Sequence, residues 1–382
     1  MRLLLLCMTS LLAFTSGVFA QGTTTGSADT VSEGSLFISG EDGWPDISGF
    51  LDTDWGFVPI VSPISEPAVG YGAAAALTLI KKHPGIQRPD VTAVGGLGTQ
   101  NGTWGAFAAD SRYWLNGRLQ TFAAILTTSV NLDYYGTGSE SQLANNPLSY
   151  ALSPKGGVVQ GKYRIGDSDL WAGLGYGYIS VEVAFDAPSN TSGLPDFQQK
   201  TNIGTLGPSL SYDTRDNIFT PNRGTYVEAT ATFASPALGG NSKFQRLQVV
   251  AMQFVPVPGN IFLGVRGQVM GAYGDPPFYV KPFILMRGIP AMRYQGNKVA
   301  QIETELRWQC WKRLSLVGFG GVGEAWNSIN ESQNEQTVVA GGAGLRYEIA
   351  RRYGIHLGAD AAFGPMAGPT IYIIVGSAWV RP

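Results

Sequence analysis

Between residues 299 and 308 the chain alternates without a break. Ala300, Ile302, Thr304, Leu306 and Trp308 share one face of an extended strand, and Gln301, Glu303, Glu305 and Arg307 share the other. Successive strand side chains point to opposite sides, so one face is mainly apolar and the other carries three charges in a row. The core of an ordinary sheet would not hold two carboxylates and a guanidinium side by side. A strand with lipid on one side and a wet lumen on the other would. The same two-residue period returns elsewhere. Val227, Ala229, Ala231 and Phe233 oppose Glu228, Thr230 and Thr232, and Leu263, Val265 and Val269 oppose Arg266 and Gln268. Val339, Leu345 and Tyr347 oppose Arg346 and Glu348, and Ile355, Leu357, Ala359, Ala361 and Phe363 oppose His356 and Asp360. Segments 70–80 and 371–379 are apolar or small on both faces and discriminate less.

From about Trp55 onward such segments recur, punctuated by Gly, Pro, Asn and Asp. No helical period and no regular repeat interrupts them. Connections near residues 114–117, 164–168, 256–260, 309–313 and 350–353 are short. Those near 133–154, 182–203, 273–297 and 326–336 are long, and the two classes largely alternate, as periplasmic turns and extracellular loops do in outer-membrane barrels. Fifteen strands can be counted back from the C-terminus to about residue 69. An even strand number then requires one more, and residues 55–61 supply the candidate, with Pro59 tolerable on a terminal strand. The pattern predicts an all-β chain: a transmembrane antiparallel β-barrel of about 16 strands over residues 54–382.

Composition narrows the class. Charged residues are 14% of the chain and aromatics 11%, whereas soluble domains carry roughly 25% charged residues. No mature segment approaches the ~18 consecutive apolar residues of a membrane-spanning helix, which leaves the closed barrel as the membrane architecture. Residues 1–20 read as a secretory signal: Arg2, an apolar run to Phe14, and Val18-Phe19-Ala20 as the cleavage site. Residues 21–53, rich in Gly, Ser, Thr and Asp, read as a flexible periplasmic leader. With the signal removed one cysteine remains, Cys310, so no internal disulfide is expected. The remaining 25 basic residues against 28 acidic ones give no footprint for nucleic acid.

Catalytic chemistry has little to stand on. The two histidines, His83 and His356, are far apart, and neither has a Gly-x-Ser-x-Gly elbow nearby. His356 and Asp360 read as lumen-lining residues two pleats apart. Metal and cofactor sites are not expected, because no Cys/His cluster has ligand spacing.

Several motifs resemble the C-terminal barrel of the Omp85 superfamily, also called the bacterial surface antigen or D15 domain. Met286-Arg287-Gly288 is similar to that family's Arg-Gly-aromatic motif at the tip of the sixth extracellular loop. Residues 213–224, with Asp213, Arg215, Asp216, Pro221 and Gly224, resemble its mid-barrel turn. Residues 318–323 resemble its Phe-x-Asp-x-Gly strand, residues 342–347 with Asp360 its last strands, and residues 63–72 the start of the barrel in small members. The resemblance implies a long extracellular loop folded into the lumen, with Arg287 meeting acidic and aromatic residues on later strands. Here Gly321 stands where the family's aspartate is expected, Ile289 replaces the aromatic, and the chain ends Trp379-Val-Arg-Pro382. Glu303 or Glu305 are therefore expected to meet Arg287, with Asp360 the less favoured partner. The chain has no room for the family's periplasmic POTRA modules. The implied function is assistance with insertion or translocation of proteins or lipid-linked components at the outer membrane, through a weakly paired seam between the first and last strands. Its implied partners are outer-membrane lipid and client outer-membrane or exported proteins. The alternatives are a passive or plugged pore, a structural surface antigen and, less favoured, an outer-membrane hydrolase.

Overall fold

The computed structural model describes residues 36–51, 57–81, 90–135, 146–185, 198–326, 336–365 and 368–379. They form one 16-stranded antiparallel sheet in which every strand pairs with its sequence neighbours. The strands are β1 (Phe57–Glu66), β2 (Gly70–Lys81), β3 (Asp90–Thr99), β4 (Trp104–Trp114), β5 (Leu119–Tyr134), β6 (Leu148–Arg164), β7 (Leu170–Phe185) and β8 (Gln198–Asp213). The second half comprises β9 (Gly224–Ala234), β10 (Phe244–Val257), β11 (Ile261–Gly274), β12 (Lys298–Trp311), β13 (Leu314–Trp326), β14 (Gln336–Ala350), β15 (Ile355–Phe363) and β16 (Thr370–Val375). A meander of this kind needs only hairpin connections, which is why turn residues punctuate the sequence so regularly.

The distribution of side chains is that of a membrane barrel. Val61 is 70% exposed, Val339 68% and Ile125 65%, while Arg346 and Asp360 are 2% and 1% exposed. On β12 the split follows the sequence pattern: Ile302, Thr304, Leu306 and Trp308 face outward, and Gln301, Glu303 and Arg307 are buried inside. In water this arrangement would waste the apolar surface; in a membrane the apolar wall meets lipid, and the inward charges are paired with one another. Among the described residues no helix is long and apolar enough to cross a membrane.

Boundaries moved where backbone geometry overrode periodicity. The first strand runs Phe57–Glu66 and contains Pro59 and Pro63, both accommodated on a strand that ladders on one side only. The last strand stops at Val375 because Gly376 takes φ +78°, the left-handed region that turns the chain out of the sheet.

The expected signal lies outside the described residues. The expected flexible leader needs correcting over residues 36–51, which are folded against the short-turn end of the barrel. Ile38 bridges Pro45, a single helical turn α1 (Ser48–Leu51) follows, and Ile47 N donates to Ile349 O at 2.8 Å. The anchor is Arg313, whose Nε and Nη2 reach the two carboxylate oxygens of Asp42 at 2.7 and 2.9 Å, while Nη1 reaches Asp46 at 2.7 Å. Trp44 packs edge-on to Trp311 at 5.2 Å and stacks on Tyr347 at 6.1 Å. Local composition hides this docking, since Arg313 and Asp42 are 271 residues apart.

Candidate functional site

The β11–β12 connection, residues 275–297, turns back into the lumen rather than projecting outward. Its tip is among the most enclosed parts of the molecule: Ile284, Ile289 and Ala291 are essentially buried, and so is Arg287. Backbone pairing shapes the loop, with Phe283 bridged to Gln295 and Ile284 N donating to Tyr294 O at 3.0 Å. Inward-facing side chains then hold it. Gln301 on β12 accepts from Leu285 N and donates to Leu285 O, at 2.8 and 3.0 Å, and Arg266 on β11 donates to the same carbonyl at 3.2 Å. Gly288 has φ +88°, and a Cβ there would crowd Phe363 O at 3.1 Å, so the tip requires glycine.

At the tip Arg287 Nη1 lies 2.7 Å from Asp360 Oδ2 and 2.7 Å from Glu305 Oε2, and its guanidinium stacks 3.6 Å over the Phe319 ring. Arg346 forms the second cationic partner of Asp360. Glu303 is taken by other groups: Arg266 Nη1 at 2.7 Å and the Trp379 indole N–H at 3.1 Å. The structure thus brings together Arg287, Gly288, Glu305 and Asp360, and places Glu303 one pairing away. Glu305, one of the two acids expected to meet Arg287, makes the contact, and Asp360, the less favoured partner, joins it at the same distance. The reason is reach. Asp360 on β15 and Arg346 on β14 approach each other across Gly344 and Gly358, where the absent side chains leave room for the pair.

Gly321 sits opposite Glu303 on the β12–β13 ladder. A Cβ there would lie 2.6 Å from Ile302 O, 2.7 Å from Glu303 Cγ and 3.1 Å from Met286 Sδ. The packing has closed around the missing aspartate. Gly321→Asp is therefore expected to lower stability by about 1–3 kcal/mol through overpacking, and more if the added carboxylate stays ionised beside Glu303. Urea unfolding in detergent micelles measures it; a rise in the midpoint would contradict this packing.

The mid-barrel turn lies between β8 and β9. Arg215 makes a bidentate pair with Asp213, both contacts at 2.8 Å, and lies 4.4 Å over the Tyr226 ring. Asp216 Oδ1 accepts the N–H groups of Asn222 and Arg223 at 3.0 and 3.2 Å, and Gly224 takes φ +107°. Pro221 is buried within the same turn. The turn also reaches across the lumen floor. Asn217 donates to Tyr353 O at 2.8 Å, and Arg307 on β12 bonds Asn222.

The seam is where β1 and β16 meet. Among the described residues no backbone ladder joins them; Ile373 N donates to the Ser65 hydroxyl at 2.8 Å. Counting antiparallel from that contact, β16 ends opposite about residue 63, so the lower half of β1 has no strand beside it. After Gly376 the tail turns into the lumen, where Trp379 packs with Phe254, Tyr226, Val250 and Met252. The loop tip touches both sides of this seam. Ala291 N donates to Glu66 on β1 at 3.2 Å, and Gly288 N donates to the Tyr372 hydroxyl on β16 at 2.9 Å. A cavity of about 170 Å³ lies beneath, bounded by Glu66, Arg287, Glu303, Tyr372 and Trp379.

Alternation had marked Arg266 and Arg346 as lumen-facing without assigning them partners. Tyr372 and the inward seat of Trp379 carried no sequence signal beyond Gly376. His356 faces Gly354 O at 3.3 Å, and Asp360 is engaged by Arg287 and Arg346, so the two do not form a pair.

A nearly closed antiparallel wall with lipid-facing apolar side chains and a loop bound inside defines a transmembrane β-barrel whose lumen is occupied. Residues 102–285, just under half of the chain, match the Omp85 superfamily domain. Similar folds include BamA from Haemophilus ducreyi lacking POTRA domains 1–3, at TM-score 0.59 and 12% identity over 84% of this chain and 69% of that one. CdiB from Escherichia coli aligns at TM-score 0.59 and 11% identity, over 85% of this chain and 62% of that one. CdiB from Acinetobacter baumannii aligns at TM-score 0.53 and 11% identity, over 84% and 57%. The chain thus spans less than two thirds of either CdiB chain. No curated protein matches it in sequence.

Proposed function

We propose that this barrel resides in the outer membrane and assists insertion or translocation of client proteins by opening the seam between β1 and β16. One observation carries the reading: among the described residues no ladder joins β1 and β16, which touch where Ile373 N donates to the Ser65 hydroxyl, while all other neighbours are laddered. An unladdered strand edge exposes N–H and C=O groups that an incoming strand can pair with. The loop lock and the inward tail hold the edge in place without filling it. Clients, outer-membrane lipid and the absence of a catalytic role belong to the same proposal.

The test is a reversible lock. Ser65→Cys with Ile373→Cys places two thiols on the outer face where the strands touch, and Cys310→Ala removes the native thiol. Reconstituted into liposomes and oxidised, the locked barrel is expected to lose acceleration of insertion of an unfolded outer-membrane protein, and reduction is expected to restore it. Full activity in the oxidised protein would exclude the seam as the working element.

A further inference from the structure

On β4, Trp104, Ala106, Ala108, Asp110, Arg112 and Trp114 occupy alternate positions and face outward with Val94 and Ile125, which are 60% and 65% exposed. This wall should be apolar between its aromatic ends, yet it carries an ion pair. Arg112 Nε and Nη2 reach Asp110 at 2.8 and 3.3 Å, and Thr92 donates to Asp110 at 2.5 Å. Trp114 marks the short-turn end of the same face, its indole N–H donating to Thr121 at 2.8 Å. At ~3.3 Å rise per residue and a strand tilt of ~45°, Arg112 lies about 5 Å and Asp110 about 9 Å inward of Trp114. Charged groups on a lipid-facing wall are costly and need an explanation.

Beside the pair is a groove of about 380 Å³ on the same wall, lined by Asp110, Thr121, Ala123, Val159, Leu174 and Leu206. Gly161 leaves it open. Gly161 is paired with Thr121 on one side and Leu174 on the other, and a Cβ placed on it meets nothing within 4 Å. The groove is therefore opened by a missing side chain in the outer wall, with a polar mouth at Asp110 and Thr121 and apolar walls beyond.

We propose that this groove binds one phospholipid with a zwitterionic, amine-bearing headgroup. Its phosphate pairs with Arg112, its ammonium with Asp110, and one acyl chain lies over Gly161 against Val159, Leu174 and Leu206. Charge selects the headgroup. A guanidinium already neutralised by a carboxylate gains little from a purely anionic lipid, whereas adjacent opposite charges complement a phosphate and an ammonium held on one headgroup. A carboxylate also favours an ammonium that can donate hydrogen bonds over a quaternary one. The site depends on the barrel spanning a membrane and is independent of how the seam works.

The experiment is native mass spectrometry of the full chain in detergent, offered equimolar phosphatidylethanolamine, phosphatidylcholine and phosphatidylglycerol with identical acyl chains. The parent is expected to retain a single phosphatidylethanolamine under activation that strips the others. Arg112→Gln, Asp110→Asn and Gly161→Leu are each expected to reduce that retention at least tenfold. Gly161→Leu fills open space and keeps both charges, and heat-modifiable gel mobility confirms that each variant is folded. Equal retention of the three lipids, no retained lipid, or unchanged retention in Gly161→Leu would overturn the proposal.

Discussion

Arg287→Ala is expected to release the inner loop and to destabilise the barrel by about 3–5 kcal/mol, the usual cost of removing one partner from a buried charge cluster. Arg287 is 6% exposed at its side chain and faces Glu305 and Asp360, which are 13% and 0% exposed. Without it, Glu305 retains only a 4.0 Å contact to Arg346, and Asp360 depends on Arg346 alone. Two carboxylates would then share one guanidinium inside a space closed to bulk water. Arg287→Lys should recover part of the loss, because an ammonium restores the charge but neither the planar fork nor the face laid on Phe319. Unfolding in micelles gives the stability, and protease cleavage within residues 275–297 reports whether the loop has left the lumen. An unchanged midpoint with an uncut loop would show that backbone and Gln301 contacts suffice.

The second large effect concerns Arg313→Ala. It removes the fork that binds Asp42 and Asp46, and hydrogen–deuterium exchange is expected to show residues 36–51 losing protection while the strands keep theirs. The same docking should depend on acid. The Arg313 hydrogen bonds hold the Asp42 carboxyl well below the usual range. Burial pushes Asp46 up, but the Ser48 hydroxyl and N–H and the Arg313 fork outweigh it, so it too titrates low. Carboxyls lowered in the folded state stabilise it above their unfolded pKa of ~3.9 and lose that contribution as pH falls through the lowered values. Docking should be intact at pH 6 and weakened below about pH 4, with exchange corrected for its intrinsic rate. Protection that is flat between pH 6 and pH 3 would show that Trp44 packing, rather than the ion pairs, holds the segment.

The barrel was legible because a two-residue period is a local property. β12 could be assigned to a wet and a dry face from ten residues alone, and its partners followed from the alternation of short and long connections. The charge cluster was only half legible. Arg287 announced itself through its glycine neighbour and the family resemblance, and Glu305 through its face on β12. Asp360 won over Glu303 because of which glycines permit close approach on β14 and β15, a property of packing in three dimensions. The folded segment 36–51 and the inward tail were illegible for the same reason. The first is held by Arg313, 271 positions from Asp42, and the second reaches Glu303, 76 positions from Trp379, and neither has a period to betray it.

The tip of the inner loop holds Glu66 through Ala291 and Tyr372 through Gly288. It is therefore thermodynamically linked to both lips of the seam. Linkage is reciprocal: if parting the strands loosens the loop by some factor, anything that grips the loop opposes parting by the same factor. An antibody or small ligand bound to residues 275–297 from the outer side would act as an effector of an event in the barrel wall, without touching either strand.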